Sequence, residues 1–129
     1  MAQILIANDN VDLLDCCQAI LEAAGHEVET VADGREALRL ARSWQPDVMV
    51  IDCVMPKLDG LTAIAALRAD PATDRLPILL MSGTEGVEAA AAHSGADRFL
   101  RKPFQAEDLV AEVEKLLADT LRTAGQSAE

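Results

Sequence analysis

The feature that most constrains the fold is a fivefold alternation of short apolar runs with longer stretches of helical periodicity. The apolar runs cover residues 4–7, 28–31, 48–51, 78–81 and 99–100, and the helical stretches cover residues 11–24, 35–44, 61–69, 87–93 and 106–121. Strands that alternate with helices favour right-handed crossovers and a parallel sheet with helices on both faces. The sequence therefore predicts an α/β, doubly wound fold.

The texture of the runs also predicts the strand order. The first, third and fourth runs are continuously apolar, as in strands that are covered on both faces. The second, "EVETV", alternates, and the fifth, "RFLR", is short and flanked by charge, so both are expected at the edges of the sheet. The order 2-1-3-4-5 of flavodoxin-like sheets satisfies these conditions.

The size and charge of the chain bound its class. It has 129 residues, of which 50% are hydrophobic, so it fits one globular domain, expected over residues 1–121. The segment "RTAGQSAE", residues 122–129, lacks periodicity and is predicted to be a flexible tail or the start of a linker. The net charge of -11 argues against a surface for nucleic acid or for an anionic membrane.

The location is expected to be cytoplasmic. No apolar stretch approaches the roughly 20 residues that span a bilayer, and the start "MAQILIAND" has no secretory pattern. The cysteines Cys16, Cys17 and Cys53 form no CxxC pair, so neither a disulfide framework nor a zinc site is indicated. Cys17 lies on the apolar stripe of the first helix and is expected in the core.

Polar residues follow four of the five apolar runs. Asn8 and Asp9 end the first strand, Asp52 the third and Ser82 the fourth, and Lys102 follows the fifth. The carboxyl ends of parallel strands share one rim of the sheet, and ligands bind there at the switch point, which here lies between strands 1 and 3. Two carboxylates, a hydroxyl and an ammonium group are therefore predicted to converge.

This set of groups suits phosphoryl transfer. Two adjacent carboxylates repel each other unless a cation separates them, and Mg²⁺ prefers oxygen ligands of this type. One carboxylate can attack phosphorus and form an acyl phosphate. Lys102 and the Ser82 hydroxyl would then meet the oxygens of the transferred group.

At this point the chain resembles the receiver domain of two-component response regulators, the CheY-like family. The resemblance covers roughly residues 3–121 and rests on "ILIANDN", "DVMVIDCVMPKLDG", "ILLMSG" and "GADRFLRKPF", which occur in that order. It implies that Asp52 is the phosphoacceptor and that Lys102 pairs with the acid site. It also implies that Mg²⁺, or Mn²⁺, binds to Asp9, to Asp52 and to the backbone carbonyl of Val54.

The resemblance further implies a signalling switch rather than a metabolic enzyme. A sensor histidine kinase or a phosphotransfer protein would supply the phosphoryl group, and Ser82 and Phe99 would then move inward. This motion would alter the surface formed by helix 4, strand 5 and helix 5, which would bind a downstream protein or a second copy. Neither the downstream partner nor the pathway follows from the sequence.

Two departures from the family pattern, and two positions that by resemblance influence the phosphoryl lifetime, carry predictions. Asn8 stands where a second acid is usual, so it would meet the metal only through a water, and a weaker Mg²⁺ affinity is expected. Phe99 replaces a frequent tyrosine and would act by packing alone. Val54 offers no polar group to an attacking water, so a long-lived phosphoryl group is expected; Thr84 is the other position that influences this lifetime.

Other functions stay open. A degenerate receiver would bind proteins without being phosphorylated, although Asp9, Asp52, Ser82 and Lys102 are all retained. A flavin carrier would need a phosphate loop rich in Ser, Thr and Gly, whereas this chain has "NDNVD" after the first strand. A phosphatase with an aspartyl nucleophile would usually have an acid at the position of Val54.

Overall fold

The computed structural model describes residues 2–55, 58–83 and 94–127, with side chains through residue 119. The strands are β1 (Gln3–Ala7), β2 (Glu27–Val31), β3 (Val48–Asp52), β4 (Ile78–Ser82) and β5 (Arg98–Arg101). The helices are α1 (Val11–Ala23), α2 (Gly34–Trp44), α3 (Gly60–Ala69) and a C-terminal helix (Ala106–Ser127). The predicted helix at residues 87–93, like Thr84, lies outside the described residues. None of the described helices has the length and apolar character needed to cross a bilayer.

The five strands form one parallel sheet in the order β2-β1-β3-β4-β5. This confirms the predicted α/β, doubly wound fold and the order 2-1-3-4-5. Every residue of β3 and β4 is buried, whereas the two edge strands contain exposed and half-buried residues. The contrast between continuous and alternating apolar runs therefore does separate central strands from edge strands.

Alternate residues of each strand pack into two cores, one on each face of the sheet. On one face, Leu5 and Ala7 of β1 pack with the apolar sides of α2 and α3. On the other face, Ile4 and Ile6 pack with α1 and the C-terminal helix. The second core includes Cys17, which is fully buried, as predicted. Burial on both faces leaves the ends of the central strands as the places where polar groups can reach the surface.

Side-chain caps fix where three helices begin. The carboxamide of Asn10 accepts a hydrogen bond from the N–H of Leu13, at 3.1 Å, so Asn10 rather than Asp9 caps α1. Asp33 caps α2 and Asp59 caps α3 in the same way. Such caps satisfy backbone donors that the first helical turn leaves without partners. They place the starts of α1 and α3 beside the carboxyl rim of the sheet.

The C-terminal helix is longer than predicted. Its backbone is helical through Ser127, six residues past the predicted end of the helix at residue 121. Residues 122–127 contain no proline and a single glycine, so the helical hydrogen-bond ladder continues without a break. The boundary between the domain and a linker stays a prediction.

The guanidinium group of Arg68 joins α3 to the loops before β4 and β5. Arg68 at the end of α3 donates to the carbonyl oxygens of Gly95 (2.9 Å), Asp74 (3.0 Å) and Leu76 (2.7 Å). It also donates to a carboxylate oxygen of Asp97 at 2.9 Å. The same oxygen accepts a hydrogen bond from the backbone N–H of Ile78, the first residue of β4. Arg68 thus fixes the loop before β5 against the loop before β4.

Candidate functional site

The register of the sheet brings the predicted polar residues to one rim. Ala7 pairs with Ile51, so the next residue of each chain segment places Asn8 beside Asp52. Asp52 pairs with Met81, and Ser82 follows at the end of β4. The N–H of Lys102 donates to the carbonyl oxygen of Ser82 at 2.9 Å, which carries the lysine to the same rim.

A close ion pair forms the centre of this rim. The ammonium nitrogen Nζ of Lys102 lies 2.9 Å from Oδ1 of Asp52. The Asp52 side chain is only 8% exposed and that of Lys102 is 27% exposed, so the pair is reached from one side. A charge-assisted hydrogen bond of this length restrains the carboxylate.

The electrostatics of Asp52 are set by burial and by two unlike neighbours. Burial raises the pKa of Asp52 above its ordinary value, while the hydrogen bond and charge of Lys102 and the backbone N–H of Cys53 oppose the rise. The carboxylate of Asp9 raises this pKa further. The charge of Asp9 at the end of β1 thus disfavours ionisation of Asp52, and a cation between the two carboxylates would relieve this repulsion.

Asn8 is the most enclosed polar side chain at the rim. It is 0% exposed, and its Oδ1 accepts the backbone N–H of Asn10 at 2.9 Å. Its Nδ2 is buried and has no hydrogen-bond partner within residues 2–55, 58–83 and 94–127. Asp9, the next residue, is exposed. The two residues at the end of β1 therefore present different groups: a donor inside the site and a carboxylate at its mouth.

Gly60 packs directly against the backbone at the end of β3. Its N–H donates to the carbonyl oxygen of Cys53 at 2.8 Å. A Cβ atom at this position would lie 2.2 Å from the carbonyl oxygen of Asp52, so only glycine lets α3 approach the end of β3 this closely. Sequence reasoning did not find this role; a glycine directly after a helix cap was the available sign.

The two predicted switch residues lie in different surroundings. Ser82 is 1% exposed and stands at the rim, one residue beyond the Asp52–Met81 pair. Phe99 of β5 pairs with Leu80, and its half-buried ring packs against the core on the α2 and α3 face. Ser82 therefore lies at the rim, whereas Phe99 lies beside Leu80, two residues before the end of β4.

Apolar surface surrounds the ion pair. Val11 at the start of α1 and Val54 after β3 are 62% and 63% exposed, the largest exposures of bulky hydrophobic residues in the described part of the chain. An open cavity of about 590 Å³ lies between α1 and the segment after β5. Its lining includes Leu13, Cys16, Ile20, Lys102, Pro103 and Phe104. Sequence reasoning did not find this groove, although Leu13 and Ile20 beside the buried stripe of α1 were visible signs.

The donor set fits a magnesium ion that keeps much of its water. The described residues contain no cluster of three or more histidine, cysteine, aspartate or glutamate side chains that could hold a metal. What the rim offers is two carboxylates, of Asp9 and Asp52, and neutral oxygens. Mg²⁺ is commonly bound by one or two carboxylates together with waters and phosphate oxygens, so these residues are compatible with it.

The family model of the response regulator receiver domain matches residues 4–114. The chain belongs to this family. Receiver domains are signalling modules of two-component systems rather than metabolic enzymes; they interact with histidine kinases and bind Mg²⁺ in the active site. The fold described above is that of a receiver domain.

Individual relatives agree with this assignment. The transcriptional regulatory protein PrrA of Mycobacterium leprae is 39% identical over 129 residues, which is 98% of this receiver domain and 54% of PrrA. The chemotaxis response regulator CheY4 of Vibrio cholerae is 34% identical, with a TM-score of 0.85 over 91% of this chain and 99% of that chain. The receiver domain of sensor histidine kinase PA1611 from Pseudomonas aeruginosa PAO1, described with a magnesium ion in its active site cleft, is 29% identical, with a TM-score of 0.86 over 91% of this chain and 98% of that chain.

The receiver domain spans about half the length of the curated relatives that it matches.

Proposed function

We propose that this receiver domain accepts a phosphoryl group on Asp52 and uses it as a reversible signal. The observation that carries the proposal is the buried Asp52–Lys102 pair, with Nζ and Oδ1 2.9 Å apart, next to the repelling carboxylate of Asp9. A purely structural ion pair would gain nothing from a third, like-charged group beside it. A phosphoacceptor, by contrast, benefits from a second carboxylate beside it, because the two carboxylates together bind the cation that the transfer needs.

The transfer step follows from these contacts. The free carboxylate oxygen of Asp52 attacks the phosphorus of a phosphohistidine, or of a small phosphodonor. A P–O bond forms as the bond from phosphorus to the donor breaks, a P–N bond in phosphohistidine and a P–O bond in acetyl phosphate, and the electron pair of the broken bond stays on the leaving imidazole or carboxylate. Lys102 then shifts its hydrogen bond from the aspartate to a phosphoryl oxygen, and the Ser82 hydroxyl donates to another. Loss of the phosphoryl group to water restores the carboxylate.

Divalent metal would be held by a small set of oxygens. Asp9, Asp52 and the backbone carbonyl of Val54 would bind Mg²⁺ or Mn²⁺, and Asn8 would contact the ion through a water. The bound ion supplies neutralisation of the charge that gathers on the phosphoryl oxygens. The magnesium ion described for the PA1611 receiver domain supports this proposal. Because Asn8 brings no charge, the Mg²⁺ affinity is expected to be weaker than in the Asn8→Asp variant; equal or tighter binding by wild type contradicts this.

The phosphodonor would dock over the rim. Val11 at the start of α1 and Val54, two residues after Asp52, are exposed apolar side chains, and an apolar groove is lined in part by Lys102. Contact with apolar surface around a buried acceptor would also exclude water from the transfer. These features support a histidine kinase or a phosphotransfer protein as the donor.

The output would be a shift between two conformations. The phosphoryl group would draw in Ser82, and Phe99 would follow by packing. This motion would alter the surface formed by the predicted fourth helix (residues 87–93), β5 and the C-terminal helix. That surface would bind a downstream protein or a second copy of the domain. PrrA is named as a transcriptional regulatory protein, which supports a role in transcriptional control for a larger regulator that contains this domain.

Intact-mass spectrometry tests the phosphoacceptor directly. Incubation with acetyl phosphate and Mg²⁺ is expected to add the mass of one phosphoryl group to wild type and none to Asp52→Asn. Addition to both proteins would move the acceptor elsewhere. No addition to either would favour the alternative of a degenerate receiver that only binds proteins.

A further inference from the structure

The buried amide nitrogen of Asn8 is the one feature of the rim that the proposed transfer step leaves without a role. Asn8 is 0% exposed, and within the described part of the chain its Nδ2 finds no acceptor. A buried donor without a partner costs about 1–3 kcal/mol, so native proteins rarely keep one. A group that is retained in this state is expected to have a partner in some other state of the protein.

The direction of the amide is fixed by its other end. The backbone N–H of Asn10 lies 2.9 Å from the Asn8 side chain and requires an acceptor, so the oxygen Oδ1 must face Asn10. The nitrogen therefore faces the opposite way. A 180° rotation of the amide would set two donors against each other and leave the oxygen where the nitrogen is now.

The sheet register places Asn8 next to Asp52. Ala7 and Ile51 pair and lie in the same core, so the residues that follow them, Asn8 and Asp52, stand side by side on the other face of the sheet. Neighbouring strands are about 4.8 Å apart, a span that a carboxamide and a phosphorylated carboxylate can bridge. On this face Lys102 already bonds Oδ1 of Asp52.

We propose that Nδ2 of Asn8 donates a hydrogen bond to an oxygen of the phosphoryl group on Asp52. This inference rests on the proposed function and replaces the water-mediated metal contact of Asn8 by a contact with the phosphoryl group, because the amide oxygen is already bound by the Asn10 N–H. An aspartate at this position would bring a negative charge toward a phosphoryl group that is itself anionic. The amide brings a hydrogen-bond donor instead. Compared with an aspartate, Asn8 therefore lowers the affinity for Mg²⁺ and raises the affinity for the phosphoryl group.

The experiment uses beryllofluoride, which mimics a phosphoryl group on aspartate, and measures two affinities for each protein. Beryllofluoride binding is followed by ¹⁹F NMR at saturating Mg²⁺, and Mg²⁺ binding is measured separately without beryllofluoride. In Asn8→Ala the beryllofluoride affinity is expected to fall roughly tenfold to a hundredfold, the range for a lost hydrogen bond to a charged group. The Mg²⁺ affinity is expected to stay within about twofold, because no charge changes.

Asn8→Asp and Asn10→Asp form a matched pair. Both replace an amide by an acid, but Asp at position 10 still caps α1, whereas Asp at position 8 loses the inner donor while keeping an acceptor for the Asn10 N–H. Asn8→Asp is expected to bind Mg²⁺ more tightly than wild type and yet to bind beryllofluoride more weakly. Asn10→Asp is expected to reduce beryllofluoride affinity by clearly less.

Each outcome decides between interpretations. Wild-type beryllofluoride affinity in Asn8→Ala, or in Asn8→Asp should the alanine variant not fold, overturns the inference and leaves Nδ2 with a water as its partner. A parallel loss of Mg²⁺ and beryllofluoride affinity in Asn8→Ala also overturns it, because it assigns Asn8 to the metal. If wild type binds no beryllofluoride and gains no mass from acetyl phosphate, the proposed function itself fails, and this inference fails with it.

Discussion

Replacing Gly60 by alanine tests whether the start of α3 holds the end of β3, which carries the proposed phosphoacceptor Asp52, in place. The added Cβ atom would lie 2.2 Å from the carbonyl oxygen of Asp52 and 3.0 Å from the Cα of Cys53. Since Cβ atoms essentially never come within 3.0 Å of such atoms, backbone must move by close to an ångström. The obstacle is the end of β3 itself, which hydrogen bonds to neighbouring strands prevent from yielding freely.

The size of the effect follows from packing energetics. Forcing an extra methyl group into a packed site costs about 1–3 kcal/mol, and the better helix propensity of alanine returns at most about 1 kcal/mol. We expect Gly60→Ala to lose about 2 kcal/mol of unfolding free energy, which for a chain of this size lowers the melting temperature by about 6–10 °C. Because the displaced atom belongs to Asp52, phosphorylation by acetyl phosphate is expected to slow as well.

Gly83→Ala is the matched control. It is also a glycine beside the site, but its added Cβ atom would lie 3.6 Å from the Cβ of Lys102, an ordinary contact. Its melting temperature is expected to stay close to that of wild type, with a change within about 0.5 kcal/mol. Thermal unfolding followed by circular dichroism compares the three proteins. If Gly60→Ala is as stable as Gly83→Ala, the close approach of α3 to β3 does not constrain the acceptor strand.

Three further predictions concern the acceptor, its neighbour and the loop before β5. Burial raises the pKa of Asp52, so its ionised carboxylate lowers the stability of the fold near neutral pH. Without Mg²⁺, Asp52→Asn is therefore expected to have a higher melting temperature than wild type at pH 7. This difference is expected to vanish as the pH falls through the pKa of Asp52. A difference that grows on acidification would contradict this. Val54→Asn is expected to shorten the phosphoryl lifetime, because the amide can orient an attacking water; radiolabel decay that is equally fast in wild type refutes it. Arg68→Lys is expected to lose about 1–3 kcal/mol in denaturant titrations, since lysine cannot reach three carbonyl oxygens and a carboxylate at once; a loss below about 0.5 kcal/mol would show that these bonds are replaceable.

The sequence predicts the parts of this fold that depend on periodicity. Continuous and alternating apolar runs separate β3 and β4 from the edge strand β2 because burial on one or two faces acts on every residue of a strand. The convergence of Asp9, Asp52 and Lys102 follows from the same argument, since parallel strands end at one rim. Periodicity does not fix where a helix stops, and the C-terminal helix accordingly runs past its predicted end.

What the sequence does not reveal depends on single contacts between residues far apart in the chain. That Gly60 touches the Asp52 carbonyl follows only once the angle of α3 to the sheet is known. The same holds for Asn8: its residue type suggested a weakened metal ligand, and only the bond from Asn10 to its oxygen shows which end of the amide faces inward. An amide differs from a carboxylate in having a donor as well as an acceptor. Its effect on a phosphoryl site is therefore decided by orientation, which spacing along the chain does not encode.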